Sequence, residues 1–244
     1  MDIIINGANG RMGRILAEAI EQSGTHRVAA KVDARFAEGE GLTALEQYDG
    51  PADVVVDFSN HAATAQVMDY CVRRGLPAVI ATTGQTEEEL ALIREAAKAV
   101  PVFLSANMSI GVALLADLAR RAAAMFPEAD IEIIERHHNQ KLDVPSGTAL
   151  LLARRICEVR PGAELVVGRH EYGKRSPQEI GIHSLRYGGE VGTHEIIIAS
   201  GSETITLKHE AENRSLFARG ALAAAAFLAG KAPGLYDMRS IIEE

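Results

Sequence analysis

The densest run of residues that could carry out acid–base chemistry lies at residues 135–149, ERHHNQKLDVPSGTA. It combines two histidines and a lysine with a Ser-Gly-Thr turn, and an apolar helical pattern follows. Imidazole titrates near neutral pH, so His137 is a candidate for proton transfer. Because Pro145 interrupts helical structure before the apolar pattern, we predict that the histidine and lysine side chains lie on a loop.

The turn after these residues is typical of an anion site. Ser146 or Thr148 is expected to cap the new helix, with free amide groups at Gly147 and Thr148 near Lys141 and His138. A helix N-terminus beside cationic side chains suits a carboxylate. The alternative is a solvated polar loop before a capped helix, and residue chemistry alone does not separate the two.

A second candidate binding site is the glycine-rich loop in INGANGRMG near the N-terminus. Gly10 and Gly13 occupy the second and third glycine positions of a G-x-G-x-x-G pattern. Ala8 occupies the first position, and Gly7 can supply the tight turn instead. Asp33 ends the next predicted strand, 20 residues after Gly13, where a carboxylate can accept hydrogen bonds from ribose hydroxyls. Together these features favour a dinucleotide site over a plain strand-to-helix turn.

The residues near this loop leave the choice of dinucleotide open. An acidic residue at the position of Asp33 favours NADH. Lys31, Arg35 and Arg11 are close enough in sequence to contact the 2′-phosphate of NADPH. Either reduced cofactor is therefore compatible with the sequence.

Alternating strand and helix patterns in the first half must position the glycine loop. Strands are predicted at residues 3–5, 27–33, 53–58, 78–81 and 102–104, and helices at 11–22, 61–74 and 86–99. The strands are continuous apolar runs, as expected where helices cover both faces of a parallel sheet. A Rossmann-like domain follows from this pattern.

The pattern changes after a predicted helix at residues 110–126. Strands are predicted at residues 131–134, 164–168, 180–187, 194–199 and 204–208, with one helix at 148–159. Short glycine-rich turns connect the late strands, which predicts an α+β domain with antiparallel or mixed pairing. The closing helix, residues 215–229, is expected to pack against the first sheet. The predicted fold class is α/β plus α+β, with domains at residues 1–107 plus 216–244 and at 108–215.

Composition excludes several classes of protein. The 244 residues are 47% hydrophobic and 24% charged, which is an ordinary globular composition. The net charge of −8 disfavours nucleic-acid binding and adhesion to anionic membranes. Cys71 and Cys157 are far apart and no H-E-x-x-H pattern occurs, so no metal site is expected. No signal peptide or spanning segment is recognised, and we expect a cytoplasmic protein.

The pattern as a whole resembles the 4-hydroxy-tetrahydrodipicolinate reductase family, also called dihydrodipicolinate reductase. The most specific piece is His-His-x-x-Lys-x-Asp-x-Pro-Ser-Gly-Thr-Ala at residues 137–149. Supporting pieces lie at residues 7–13, 81–84, 105–108, 168–169 and 234–238, so the resemblance covers essentially the full length. One departure is Ala81, where the family often has glycine before the threonine pair.

The resemblance implies an oxidoreductase of diaminopimelate and lysine biosynthesis. Its NADH- or NADPH-dependent reaction would reduce 4-hydroxy-tetrahydrodipicolinate, via dihydrodipicolinate, to tetrahydrodipicolinate. It implies that His137 and Lys141 transfer protons, while His138, Gly147 and Thr148 bind the dicarboxylate substrate. The implied cofactor-binding residues are Gly7, Ala8, Asn9, Gly10, Arg11, Met12, Asp33, Ala81, Thr82, Thr83, Ser105, Ala106, Asn107 and Met108. It also implies a C-terminal domain that binds substrate and assembles a homotetramer.

Two other functions compete with this interpretation. One is a different two-domain NAD(P)-dependent reductase of a small amino or keto acid, such as an aspartate dehydrogenase-like enzyme. The other is a sensor that binds a dinucleotide without turnover. Neither predicts the Pro-Ser-Gly-Thr turn after paired histidines.

Overall fold

The computed structural model describes residues 1–243, and the chain divides into two compact units. Unit 1 comprises Met1–Ser109 and Arg214–Glu244, and unit 2 comprises Ile110–Asn213. In chain order the strands are β1 (Asp2–Asn6), β2 (Arg27–Val32), β3 (Val54–Asp57), β4 (Ala78–Ile80), β5 (Pro101–Leu104), β6 (Asp130–His137), β7 (Glu164–Val167), β8 (Glu179–Arg186), β9 (Gly192–Ser200), β10 (Glu203–Ala211) and β11 (Gly234–Tyr236). The helices are α1 (Arg11–Ser23), α2 (Thr64–Arg74), α3 (Glu87–Ala96), α4 (Ile110–Met125), α5 (Gly147–Cys157), α6 (Ser215–Leu228) and α7 (Met238–Ile242).

Unit 1 is built on a six-stranded parallel sheet in the order β11-β5-β4-β3-β1-β2. Its central strands are runs of Ile and Val that are buried on both sides, which is why they show no polar alternation. On one face, Ile4 and Val55 belong to the same buried cluster as residues of α2 and α3. On β5, Phe103 packs edge-on against Phe227 of α6. The predicted Rossmann-like arrangement is confirmed.

Local sequence signals set the helices of unit 1. The Thr86 hydroxyl accepts the backbone N–H of Glu89, and the Glu89 carboxylate accepts that of Thr86, which forms a capping box at the start of α3. Helix α6 packs on β3, β4 and β5, so the closing helix returns to the first sheet as predicted. A Cβ on Gly220 would collide with the Met108 carbonyl, and this close approach therefore requires glycine.

Unit 2 is built on a mixed five-stranded sheet in the order β10-β9-β6-β8-β7. Strand β8 pairs in parallel with β6 and β7, whereas β9 pairs antiparallel with β6 and β10. Side chains of α4 and α5 form one buried cluster with alternate residues of the sheet, including Ile131, Ile133, Ile180 and Ile182. The predicted mixed pairing is confirmed.

The structure also differs from the sequence prediction in several elements. Residues 61–63 form a 3-10 turn before α2, and α3 ends at Ala96 rather than Ala99. Strand β11 and helix α7 were not predicted, because three and five residues carry too little periodicity. Within residues 1–243, none of the helices combines the length and apolar character that crossing a membrane requires.

Candidate active site

The glycine-rich loop lies at the carboxyl edge of the parallel sheet, between β1 and α1. Gly7 has a φ of +80°, and a Cβ there would lie 2.6 Å from the Phe58 carbonyl oxygen, so this turn requires glycine. A Cβ on Gly13 would collide with the Gly7 carbonyl, so α1 packs closely against the turn. Gly10 is the N-cap of α1, and no described side chain caps its N–H groups. The N-terminus of α1 is thus suited to a pyrophosphate.

A cleft of about 840 Å³ opens beside this turn. Eight of the predicted cofactor residues line it: Gly7, Gly10, Arg11, Met12, Asp33, Ala81, Thr82 and Thr83. Its volume lies within the usual range of small-molecule sites, roughly 300–1,000 Å³. A glycine cradle, a helix N-terminus and a cleft of this size fit an NAD(P) dinucleotide.

The remaining predicted cofactor residues occupy different positions. Ala8 is buried in the turn, and the backbone N–H of Asn9 donates to an Asp33 carboxylate oxygen at 3.0 Å. Residues 105–108 follow β5, outside the set that lines the cleft. There the Ser105 hydroxyl donates to the Asn107 carbonyl at 2.7 Å, and Met108 is buried.

Asp33 follows β2 and is buried with its carboxylate engaged. The Arg35 backbone N–H donates to it at 2.9 Å, and the largely exposed Arg35 guanidinium lies 3.2 Å away. Burial acts to raise the pKa of Asp33, but the hydrogen bonds from Arg35 and Asn9 lower it overall. The cleft therefore presents an ionised carboxylate and a guanidinium side by side.

A buried carboxylate, Asp57, ties together the strand ends beneath the cleft. It accepts hydrogen bonds from Asn6 Nδ2 at 2.8 Å, Ser59 Oγ at 2.6 Å and Thr82 Oγ1 at 2.7 Å. Burial raises the pKa of Asp57, and these donors oppose that shift. One side chain thus fixes the ends of β1, β3 and β4.

In unit 2, the prediction that His137 lies on a loop is wrong. Alternate residues of β6 face the helix-covered side, and His137 is the last of this series after Ile131, Ile133 and Glu135. Only 10% of its side chain is exposed. Charged residues near the end of β6 interrupt the alternation of apolar and polar residues that predicts a strand. The loop begins only at His138.

The loop after β6 carries the predicted lysine. Lys141 Nζ lies 2.8 Å from Asp143 Oδ1, and its backbone N–H donates to the His138 carbonyl at 3.2 Å. The His138 N–H donates to the Glu190 carbonyl at 2.8 Å, which anchors the loop. Burial acts to raise the pKa of Asp143, but Lys141 and the Gly147 N–H lower it overall.

Ser146 caps α5, one of the two caps that the sequence allowed. Its Oγ accepts the Ala149 N–H at 3.2 Å and shares a hydrogen bond of 3.0 Å with His194 Nε2. His194 lies buried on β9, with its ring edge-on to that of His137 at a centroid distance of 5.2 Å. Burial, with a smaller contribution from His137, lowers the pKa of His194 to about 3.

Four residues around His137 were not predicted from the sequence: Glu135, Arg186, Gly192 and His194. Glu135 Oε2 lies 2.6 Å from His137 Nδ1, and Arg186 forms a bidentate ion pair with the same carboxylate. The strand register brings Arg186 opposite His137. A Glu two residues before a candidate catalytic histidine, in strand spacing, was the one available signal. Within residues 1–243, no cluster of three or more His, Cys, Asp or Glu residues could hold a metal ion.

A glycine cradle and cleft at the carboxyl edge of a parallel sheet are features of NAD(P)-dependent dehydrogenases and reductases, and the chain is an oxidoreductase of this class. Models of the N-terminus and the C-terminus of dihydrodipicolinate reductase match residues 1–108 and 111–242. The chain belongs to the dihydrodipicolinate reductase family. Its reaction is the reduction of 4-hydroxy-tetrahydrodipicolinate in diaminopimelate and lysine biosynthesis, and the family uses NADH or NADPH.

Individual relatives agree with this assignment. The 4-hydroxy-tetrahydrodipicolinate reductase of Caldanaerobacter subterraneus is 44% identical over 99% of this chain and 98% of its own length. A dipicolinate-bound dihydrodipicolinate reductase from Paenisporosarcina has a TM-score of 0.84 and 27% identity, and covers 99% of both chains. An aspartate dehydrogenase from Thermotoga maritima has a TM-score of 0.52 and 16% identity over 95% of this chain and 98% of its own, a likeness of fold alone.

Proposed function

We propose that unit 1 holds the reduced dinucleotide, while unit 2 holds the dicarboxylate substrate and supplies the proton. The loop before α5 carries this proposal, because it already accommodates a carboxylate. Asp143 is paired with Lys141, and the Gly147 N–H also lowers the pKa of its carboxyl group. Lys141 and Gly147 are among the groups that the resemblance implies for the reaction and for substrate binding. A substrate carboxylate would replace Asp143 beside these groups, with His138 and Thr148 as further contacts.

In unit 1 the pyrophosphate would lie on residues 7–12 at the N-terminus of α1. Asp33 would accept the ribose hydroxyls, and Arg35 would face a 2′-phosphate, which supports use of both NADH and NADPH. Residues 81–83 and 105–108 follow β4 and β5 and would contact the nicotinamide. Reduced nicotinamide, when bound, supplies a hydride.

The protein's own part in the chemistry is proton delivery. Hydride addition to a conjugated cyclic imine moves electron density to another atom of the ring system, and that atom must be protonated. His137 holds its Nδ1 against Glu135, which leaves Nε2 for the substrate. Lys141 would lose Asp143 as its partner when the substrate carboxylate arrives, and its ammonium could then donate a proton or stabilise the developing charge.

We also infer self-association through the sheet face of unit 2 opposite α4 and α5. Ile134 and Ile197 are only half-buried on that face, and Leu185 is 42% exposed. A second copy would cover these side chains, and four copies are the number implied by the family. The net charge of −8 supports the absence of a nucleic-acid partner, and we propose a cytoplasmic location.

Binding of dipicolinate, an unreactive planar dicarboxylate, tests the substrate site. Calorimetric titration of Lys141→Met should show affinity at least about 10-fold weaker than that of the wild-type protein, because one charge-assisted contact is lost. Lys174→Met removes an exposed lysine of the same unit and should bind normally. Equal affinities for all three proteins would contradict the proposed carboxylate site.

A further inference from the structure

We propose that Glu135 is a positioning residue for the reaction: it fixes the ring of His137 for proton transfer and, through its other oxygen, the start of the substrate-binding turn. This proposal rests on the proton-transfer role proposed above for His137. Glu135 is fully buried on β6, and its carboxylate is engaged by His137, Ser146 and Arg186, so it acts through the groups that it holds.

Three separate segments donate hydrogen bonds to the Glu135 carboxylate. His137 Nδ1 lies 2.6 Å from Oε2, and the Ser146 backbone N–H donates to Oε1 at 3.1 Å. Arg186 on β8 donates to both oxygens, at 2.8 and 2.7 Å. Arg186 also donates to the Asp143 carbonyl at 2.7 Å, so the guanidinium joins the carboxylate to the loop. The acid–base histidine and the N-terminus of α5 are thus held by one group.

The charge of Glu135 decides which nitrogen of His137 carries the proton. Burial acts to raise the pKa of Glu135, but the donors from His137 and Arg186 lower it well below its usual range. An ionised carboxylate only accepts hydrogen bonds, so Nδ1 of His137 must carry hydrogen. In the neutral ring Nε2 is then the lone-pair atom. It takes up a proton to form the imidazolium, and the Nε2–H of that form is the proton that the ring donates to the substrate.

The surroundings of Nε2 agree with this assignment. A Cβ at Gly192 on the neighbouring β9 strand would lie 3.0 Å from His137 Nε2, so the glycine leaves room at that atom. His194 packs edge-on against the same ring and is held neutral by burial. His194 therefore confines the ring, Gly192 leaves room at Nε2, and Glu135 sets the orientation of the ring.

A second buried carboxylate paired with an arginine lies elsewhere in the same sheet and allows a comparison. Glu179 is also nearly buried, accepts two hydrogen bonds from Arg169 and accepts the Ser176 backbone N–H at 3.3 Å. It differs from Glu135 in that its carboxylate is held by an arginine and a backbone N–H, without a histidine. Glu179→Gln therefore measures the cost of removing a buried, arginine-paired carboxylate without disturbing His137.

The test compares Glu135→Gln with Glu179→Gln. Glutamine keeps the shape of Glu135 but turns one acceptor oxygen into an NH₂ donor, which no longer requires hydrogen on His137 Nδ1. We expect kcat to fall by about 10- to 100-fold, part of the usual contribution of general acid–base catalysis. Ring-nitrogen spectra of ¹⁵N-histidine protein, at a pH where the ring is neutral, should show a changed tautomer of His137. Glu179→Gln should leave kcat and the tautomer unchanged.

The double variant Glu135→Gln/His137→Gln separates this proposal from the one on which it rests. Glutamine in place of Glu135 keeps one oxygen that can accept the Ser146 N–H, so the contact to the turn is retained. If Glu135 acts on proton transfer through His137, adding Glu135→Gln to His137→Gln should lower kcat by less than twofold more. A full further loss in that background, or an Nε2–H tautomer in the wild-type protein, would overturn the positioning role. The wild-type spectrum decides even if Glu135→Gln fails to fold. Wild-type kcat in His137→Gln alone would instead refute the proton-transfer role, and the positioning role with it.

Discussion

Replacing His194 with glutamine should make folding less sensitive to acid. In the folded protein, burial lowers the pKa of His194 from 6.5 to about 3, and His137 contributes to the shift. The folded state therefore keeps this ring neutral, whereas the unfolded chain protonates it below pH 6.5. The free energy of unfolding falls as the pH drops below 6.5 and continues to fall until about pH 3.

The size of the effect follows from that interval. A pH of 5 lies about 1.5 units below the pKa of this histidine in the unfolded chain, and its protonation there favours unfolding by about 2 kcal/mol. Glutamine does not titrate, and its oxygen or NH₂ group can still bond to Ser146 Oγ. The other titratable groups near this ring, Glu135, His137, His209 and Lys141, remain in the variant. The difference in unfolding free energy between the two proteins should therefore change by about 2 kcal/mol from pH 7 to pH 5.

Urea unfolding at the two pH values, followed by far-UV circular dichroism, measures this change. His170→Gln is the matched control, since it removes an exposed histidine of the same unit and should give no pH-dependent difference. Any constant cost of the His194 substitution cancels, because only its variation with pH is compared. An identical pH dependence in the wild-type protein and His194→Gln would refute the conclusion that burial holds this ring neutral.

Three further substitutions test the two sites. Lys141→Met should lower kcat by about 100-fold and leave NADH affinity intact, and weakened cofactor binding with normal turnover would contradict its role. Gly192→Ala adds a methyl group 3.0 Å from His137 Nε2 and should lower kcat severalfold. Gly189→Ala is the control, because a methyl group there meets open space and should leave kcat unchanged. Equal kcat values for the two variants would argue against crowding at His137 Nε2. Arg35→Ala should lower the affinity for NADPH about 10-fold in a fluorescence titration and leave the affinity for NADH unchanged, a difference of about 1.4 kcal/mol between the two cofactors. Equal losses of affinity for both cofactors would place the guanidinium away from the 2′-phosphate.

The parts of the site that sequence could predict are those made by neighbours in the chain. Gly7 and Gly13 are close in sequence and must be glycine for local reasons, so the turn was recognisable. Ser146 caps a helix that begins at the next residue, which is also a local signal. The antiparallel or mixed character of the second sheet followed from the absence of crossover helices between its late strands.

The parts that could not be predicted depend on strand register. Arg186 and His194 reach the histidine of β6 from β8 and β9, and nothing in their local sequence states which residues they face. Glu135 interrupted the apolar period of β6, so the strand was predicted to stop at Ile134. The buried ion network that positions His137 was therefore also the reason that the end of its strand was missed.

Both units place one buried carboxylate where several strands or loops end, and this arrangement has a physical rationale. Asp57 and Glu135 are each costly to bury, and each offsets that cost only when all of its donors are in place. The donors come from segments that must be aligned for binding, such as Thr82 beside the cleft and Ser146 at the start of α5. A hydrophobic side chain in either position could fill the space, but it could not require those segments to adopt one relative position. The two carboxylates therefore contribute more to the precision of the sites than to stability, which is why conservative amide variants are the informative ones.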